Sequence, residues 1–186
     1  MIKKINMRKL DLVILAGGRG TRLGSITNKI PKPLVKVNGI HFLRHIINYY
    51  SKFNFENIFL IVGYKGKNIK KLFHNKMFNL VKVTCIIEKN RKDTGGALYE
   101  VKNKIKNDFI AANGDSFINV NLQSFFENKH QYNYLYLSKN FNYKKNKKLT
   151  HLNIDKQNFV IKSTNSQFMN SGVYFFKKNI FKKIYN

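Results

Sequence analysis

A chain of 186 residues, 43% of them hydrophobic, is enough for one domain with a sizeable core and too apolar for a disordered tail. Thirty-five Lys and Arg against nine Asp and Glu give a formal charge of +26, but only five of the thirty-five are Arg. The longest apolar runs, Leu12–Ala16 and Ile58–Val62, are five residues each, far below the ~20 of a membrane-spanning helix, and a lone Cys85 excludes an internal disulfide and a cysteine zinc cluster. Asp11–Ala16 is short, apolar and rich in branched residues, which predicts a buried strand. It runs into Gly17-Gly18-Arg19-Gly20-Thr21-Arg22-Leu23-Gly24, and Pro31 and Pro33 predict an extended stretch after it. Apolar residues at 42, 43, 46, 47, 50 and 53 predict a helix over Phe42–Phe53. Glu56–Gly63 reads as a strand, Lys67–Phe73 as a short helix and Val81–Ile87 as a strand. Ala97, Leu98, Val101 and Ile105 predict a helix over Thr94–Ile105, with Thr94 near its N-cap. Phe109–Ala112 is a strand ending at Asn113-Gly114-Asp115, and Leu122–Asn128 is helical. Tyr132–Leu137, Leu149–Ile154, Phe159–Ile161 and Met169–Phe176 are further strands, Tyr143–Lys148 is a solvated loop, and Asn179–Tyr185 has a helical pattern.

Alternating strands and helices imply an α/β domain with a mostly parallel sheet and helices on both faces. No repeat or linker divides it, so residues 1–186 read as a single domain. The N-terminal segment is basic, but the apolar stretch behind it is too short for a signal peptide, and the expected compartment is the cytoplasm. Two readings of the charge stand side by side. One is a nucleic-acid surface. The other is a base bias of the genome, because Lys, Asn, Ile, Phe and Tyr share AT-rich codons. A dedicated nucleic-acid groove favours Arg, which forks onto phosphates and bases.

Ligands of such sheets bind beyond the carboxyl ends of the strands. Gly17–Gly24, the loop before Thr94 and Asn113–Asp115 all fall there. Three glycines in four residues let bare backbone N–H groups approach phosphate oxygens, and Arg19, Arg22 and Lys32 add cations. The loop lacks the Gly-Lys-Ser/Thr of a P-loop. It is no dinucleotide fingerprint either, since Leu23 stands at the small position and no acid occurs between Asp11 and Glu56.

Leu15-Ala16-Gly17-Gly18-Arg19-Gly20-Thr21-Arg22-Leu23 followed by Pro31-Lys32-Pro33-Leu34 resembles the signature of the sugar-phosphate nucleotidyltransferases. Thr94-Gly95-Gly96-Ala97, Asn113-Gly114-Asp115 and Asn170-Ser171-Gly172-Val173-Tyr174 follow in the order of that family, so the likeness covers about Leu12 to Phe176. Within the family, the Thr-Gly-Gly-Ala and Asn-Gly-Asp-Ser-Phe forms are most similar to the D-glycero-D-manno-heptose 1-phosphate guanylyltransferases. The resemblance implies a Rossmann-like three-layer sandwich, the glycosyltransferase-A-like nucleotidyltransferase fold. It implies the reaction of an NTP, GTP by subfamily, with a sugar 1-phosphate to give NDP-sugar and pyrophosphate for surface polysaccharide synthesis. The attacking phosphate monoester is already anionic, so the task is positioning and charge neutralisation rather than general-base chemistry.

Roles follow from the resemblance. Leu15 and Ala16 line the base. Gly17, Gly18 and Gly20 admit the nucleotide. Thr21 and Arg22 hold the β- and γ-phosphates, and Lys32 reaches the α-phosphate. Asp115 holds Mg²⁺, the implied cofactor, which favours carboxylate and phosphate oxygens. Thr94, Gly95 and Gly96 contact base or ribose, Asn113 and Asn170 the sugar hydroxyls, and Gly172 lets the sugar approach. Glu88 either contacts the base or pairs with Lys89 or Arg91. Lys162 is the candidate sugar-phosphate lysine, although Ile161 stands where the family usually has Glu. Asp115 as an ordinary turn residue, and Asn170 as one of many Asn, remain alternatives. His41 and His45 read as helix-surface residues and Cys85 as core. Family members run further and carry a second metal-binding Asp there, whereas no acid follows Asp155; a C-terminally truncated domain is therefore expected. A nucleotide binder without turnover and a basic nucleic-acid module are the alternatives. The implied partners are the NTP and the sugar 1-phosphate, with a homodimer left open, no membrane and no specific nucleic acid.

Overall fold

The structure is a computed structural model that describes residues 8–20, 23–88, 93–139, 152–162 and 168–183. Its elements in chain order are β1 (Leu10–Leu15), α1 (Ile26–Lys29), β2 (Lys36–Val37), β3 (Ile40–His41), α2 (Phe42–Tyr50), β4 (Phe55–Val62), α3 (Gly66–Phe73), β5 (Met77–Phe78), β6 (Val81–Ile87), α4 (Thr94–Tyr99), β7 (Phe109–Asn113), α5 (Gln123–Glu127), β8 (Tyr134–Lys139), β9 (Leu152–Ile154), β10 (Val160–Lys162) and β11 (Phe168–Phe176). Nine strands form one sheet in the order β10-β9-β11-β7-β1-β4-β6-β5, with β8 also paired to β11. The centre, β7-β1-β4-β6, is parallel. Both flanks are antiparallel: β11 against β7 on one side, β5 against β6 on the other.

Strand residues alternate between two cores, as the two-residue period of a strand requires. Leu10, Leu12 and Ile14 of β1 face a large cluster with Leu43, Ile46 and Ile47 of α2, Ile69 and Phe73 of α3, and Phe125 and Phe126 of α5. Val13 faces the other side with Phe59, Ile61, Phe109 and Ala111, under Ala97 and Leu98 of α4. The sheet is thus covered on both faces, the three-layer α/β sandwich expected of this alternation. Cys85 of β6 is buried in the first cluster, where burial pushes its thiol pKa up to about 11. No helix among the described residues is long and apolar enough to cross a membrane.

Some local features differ from the sequence expectations. Pro31 is extended, but Lys32–Leu34 close into a 3-10 turn in which the Leu34 N–H donates to the Pro31 carbonyl. Proline is tolerated in a first helical turn because no intrahelical donor is needed there. Asn38 and Gly39, at φ of 50° and 76°, turn the β2–β3 hairpin. The Asn-Gly pair is a hairpin signal that apolar periodicity does not capture. Asn79, at φ 50°, sits in the second unexpected hairpin, β5–β6. α4 ends at Tyr99 and continues as turns, although Val101 and Ile105 still pack on the sheet. Its N-cap residue is Asp93, so Thr94 opens the helix beside the cap, as expected. The segment expected helical after Asn179 is a 3-10 turn over Lys178–Lys182. The 143–148 loop lies outside the described residues.

Candidate active site

β1, β4, β6 and β7 are parallel, so their carboxyl ends meet along one edge. The segments that follow them converge there on a cleft of about 280 Å³. Leu15, Ala16, Gly17 and Gly18 line it from β1, Ile61 from β4, Glu88 from just past β6, and Asn113 and Asp115 from the end of β7. Pro33 comes from the 3-10 turn, and Asp93, Thr94 and Ala97 from the start of α4.

The close approaches explain the glycines. Gly17 crosses the mouth of β4: Tyr64 N–H donates to its carbonyl at 3.1 Å, and a Cβ on it would overlap the Glu88 carboxylate. A Cβ on Gly63 would come within 2.7 Å of Glu88 Oε2 and 2.8 Å of the Gly17 carbonyl. Gly20 has φ +74°, and a Cβ there would lie 2.5 Å from that of Lys32. Gly20 is therefore the bed on which the Lys32 stem lies.

Lys32 Nζ donates to Asp115 Oδ2 at 2.8 Å, with the two side chains 31% and 41% exposed. Residues 83 positions apart thus set a cation against a carboxylate at the cleft. His41 helps to hold the turn carrying Lys32, because its Nδ1 donates to the Leu34 carbonyl at 2.7 Å. His45 bonds the Val37 carbonyl. Both histidines brace the hairpin next to this turn.

On the other side of β7, β11 carries a register shift between Asn170 and Tyr174. Gly172 lies within it at φ +79°, and a Cβ there would overlap the Asn113 amide. Gly172 N–H donates to Asn170 Oδ1, and Asn170 Nδ2 donates to Tyr174 Oη, each at 2.7 Å. Asn113, Asn170 and Gly172 are therefore gathered at one edge of the cleft.

Of the other residues singled out in the sequence, Gly95 and Gly96 lie in the first turn of α4 beside the lining. Lys162 is exposed on the edge strand β10, opposite Leu152 and outside the lining. Thr21 and Arg22 lie outside the described residues. Sequence reasoning passed over Ile61, Gly63 and Asp93, and gave no site role to Pro33 and Ala97, which it read only as members of their motifs. For Gly63 the signal was a glycine at the carboxyl end of a strand, and for Asp93 a carboxylate next to Thr94-Gly95-Gly96 in a chain with nine acids.

Among the described residues, the cleft offers bare backbone, carboxylates and amides, with the Lys32 ammonium against Asp115. No three metal-ligating side chains among the described residues are grouped to hold an ion by themselves. Mg²⁺ needs no such cage, since one or two carboxylates plus substrate phosphates suffice, and Asp115 is half-exposed at the cleft. The donor set therefore fits a magnesium ion that arrives with a polyphosphate.

A mixed α/β sheet with a glycine-lined cleft at its carboxyl edge defines a nucleotide-handling α/β protein. Residues 12–186 match the nucleotidyl transferase family. The chain is 33% identical over 177 residues to D-glycero-alpha-D-manno-heptose 1-phosphate guanylyltransferase of Campylobacter jejuni, covering 92% of this chain and 78% of that one. It is 34% identical to the bifunctional protein GlmU of Methanococcus aeolicus, covering 92% of this chain but 41% of that one. The fold superposes on crystal structures of HddC from Yersinia pseudotuberculosis, alone and complexed with GMP-PN, at a TM-score of 0.75 and 29% identity, covering 79% of that chain. The chain belongs to the nucleotidyl transferase family, as a member of its sugar-phosphate branch.

Proposed function

We propose that this chain transfers a guanylyl group from GTP to a heptose 1-phosphate, releasing pyrophosphate. The observation that carries the reading is the Lys32–Asp115 pair, 2.8 Å apart at a glycine-walled cleft. An oxygen of the sugar phosphate attacks the α-phosphorus. The bond from that phosphorus to the bridging oxygen breaks, and pyrophosphate leaves with the electron pair. Lys32 is placed to neutralise charge gathering on the α-phosphate oxygens, and Gly17 and Gly18 present backbone at the nucleotide. Thr21 and Arg22 follow Gly20 in the sequence as candidates for the β- and γ-phosphates. Asp115 would hold Mg²⁺, which when bound neutralises phosphate charge and orients the leaving group. Leu15, Ala16 and Thr94 supply the wall for base and ribose. Glu88 is a carboxylate able to accept the paired N–H donors of guanine. Guanine and heptose are supported by the names of the Campylobacter relative and of the GMP-PN complex, and by no contact of this chain's own.

The test is pyrophosphate release in Mg²⁺ with four NTPs crossed against heptose, mannose and glucose 1-phosphates. Turnover with GTP and heptose 1-phosphate above the other pairs is expected. Preference for another pair replaces the substrates and keeps the reaction. Silence from a folded protein across the panel overturns the catalytic reading.

A further inference from the structure

Lys65 stands just past β4 with φ 50° and ψ 32°, in the left-handed region. That conformation is costly for an L side chain, and Asn is among the residues that tolerate it best after glycine. Among the described residues, the other four non-glycine residues at positive φ are Asn38, Asn75, Asn79 and Asn158. Lysine is the exception in a chain that otherwise puts Asn there. Strain that persists in this way points to a task for the side chain.

The contacts show the task. Lys65 Nζ donates to the Asn28 carbonyl at 2.5 Å and to the Lys29 carbonyl at 2.8 Å. Those carbonyls end α1, where no further helical turn supplies a donor and a cation is favoured. An Asn side chain is shorter and carries no charge. The neighbouring Tyr64 holds the start of the glycine-rich segment. Its N–H donates to the Gly17 carbonyl, and its ring lies 5.4 Å from the Arg19 guanidinium. Within the segment, the hydroxyl of buried Thr27 lies 3.3 Å from the Gly20 carbonyl and 3.1 Å from that of Gly24. Gly20 is the bed of the Lys32 stem. Only Ile30 and the extended Pro31 separate Lys29 from Lys32. α1, Gly20 and Lys32 are thus linked as one piece, and Lys65 ties that piece to the end of β4.

We propose that Lys65 is a positioning residue of the nucleotide site: its ammonium, bound to the end of α1, sets the Gly20 bed and with it the place of the Lys32 ammonium. Lys65 does not line the cleft, so it acts through the segment it holds. The proposal rests on the nucleotidyltransferase reading for the work of Lys32. Its test separates the ammonium from the backbone strain. Lys65→Met removes the charge and keeps the strain, whereas Lys65→Asn removes the charge and relieves it. Both variants are compared with the wild type in thermal melts and in hydrogen exchange of residues 23–35. Binding of the α,β-methylene analogues of GTP, ATP, CTP and UTP with Mg²⁺ is measured by calorimetry. The pyrophosphate assay gives kcat and the KM of each substrate.

Lys65→Met is expected to melt below Lys65→Asn, because only the first keeps a side chain ill suited to positive φ. Both should nevertheless weaken binding of the preferred analogue about three- to tenfold and lower kcat about ten- to a hundredfold, with the KM of the sugar 1-phosphate unchanged. Exchange should quicken at Thr27, Asn28, Leu34 and Val35, whose amides are bonded within the segment, and stay as it was in β6. In a Lys32→Ala background, Lys65→Asn should lower kcat no further. A merely structural lysine would make the losses follow the melting temperature and add in full to those of Lys32→Ala, and either result overturns the proposal. So does a wild type that binds none of the analogues. Lys65-dependent analogue binding without pyrophosphate release from the wild type would overturn the catalytic reading alone. Wild-type kcat and analogue affinity in Lys65→Asn would overturn this proposal alone.

Discussion

Lys32 and Asp115 neutralise each other at the cleft, and in the proposed reaction each is the group the other must release, or share, as a metal-bound polyphosphate enters. Both are partly exposed and outside the cores, so they can be replaced without opening a cavity. Lys32→Ala and Asp115→Asn are expected to lower kcat about 10²–10³-fold, the usual cost of a lost transition-state charge contact. The melting temperature should stay within about 4 °C of the wild type, since an exposed pair contributes at most about 1 kcal/mol. Parallel pyrophosphate assays and thermal melts decide this, and a near-normal rate in either variant removes that residue from the machinery. At this scale the sequence was readable where the chemistry is local. Gly17, Gly18, Asn113 and Asp115 each directly follow or end an apolar strand, and all line the cleft. Gly63 was marked only by its place at a strand's carboxyl end, and its need for bareness was not readable, because that need comes from Glu88, 25 residues later, and from Gly17, 46 residues earlier. The Asn170 amide was readable as a hydrogen-bonding group but not as one already engaged, since a register shift in β11 sets that geometry.

The elements that position the site depend on an anchor far from it. Asp11 of β1 is fully buried, and its carboxylate accepts from Asn57 Nδ2 at 2.8 Å and from the Lys106 and Asn107 N–H groups at 3.2 and 3.3 Å. It ties β1 to β4 and to the turn entering β7, the three strands whose far ends carry Gly17, Gly63 and Asp115. Asp11→Ala would leave three part-buried donors without their acceptor. A loss of about 2–4 kcal/mol in urea unfolding is expected, and a change under about 0.5 kcal/mol would show that water satisfies those donors equally well. The strand–helix alternation around this anchor was legible because the central strands are buried on both faces and read as apolar runs. The two hairpins were not, because two-residue strands have no period to detect. Asn38-Gly39 marked the first by its turn chemistry alone. The early end of α4 was hidden for the opposite reason: Val101 and Ile105 keep the helical spacing of apolar residues, and turns rather than helix deliver them to the core.

Across the whole molecule, 35 cations and nine acids make every carboxylate a scarce counter-charge. Asp108, at the entry to β7, draws two cations and a backbone N–H. Arg8 binds it at 2.5 Å, Lys177 at 2.9 Å, and the Lys178 N–H at 2.9 Å. It thereby joins the segment before β1 to the segment after β11. Burial alone would raise its pKa, but the bonds from Lys178, Lys177 and Arg8 outweigh that and hold it below the ordinary carboxylate value. A carboxylate depressed in the folded state contributes stability that is complete above its unfolded pKa, near 4, and is lost as pH falls through the lower folded value. Asp108→Asn should therefore cost about 2 kcal/mol at pH 7, the scale of a hydrogen bond to a charged group. The gap between variant and wild type should narrow steadily below about pH 4. Urea unfolding of both proteins between pH 7 and pH 2 reads the difference directly. A gap that stays constant to pH 2 would mean that packing around Asp108, rather than its charge, holds the segment before β1 to the segment after β11.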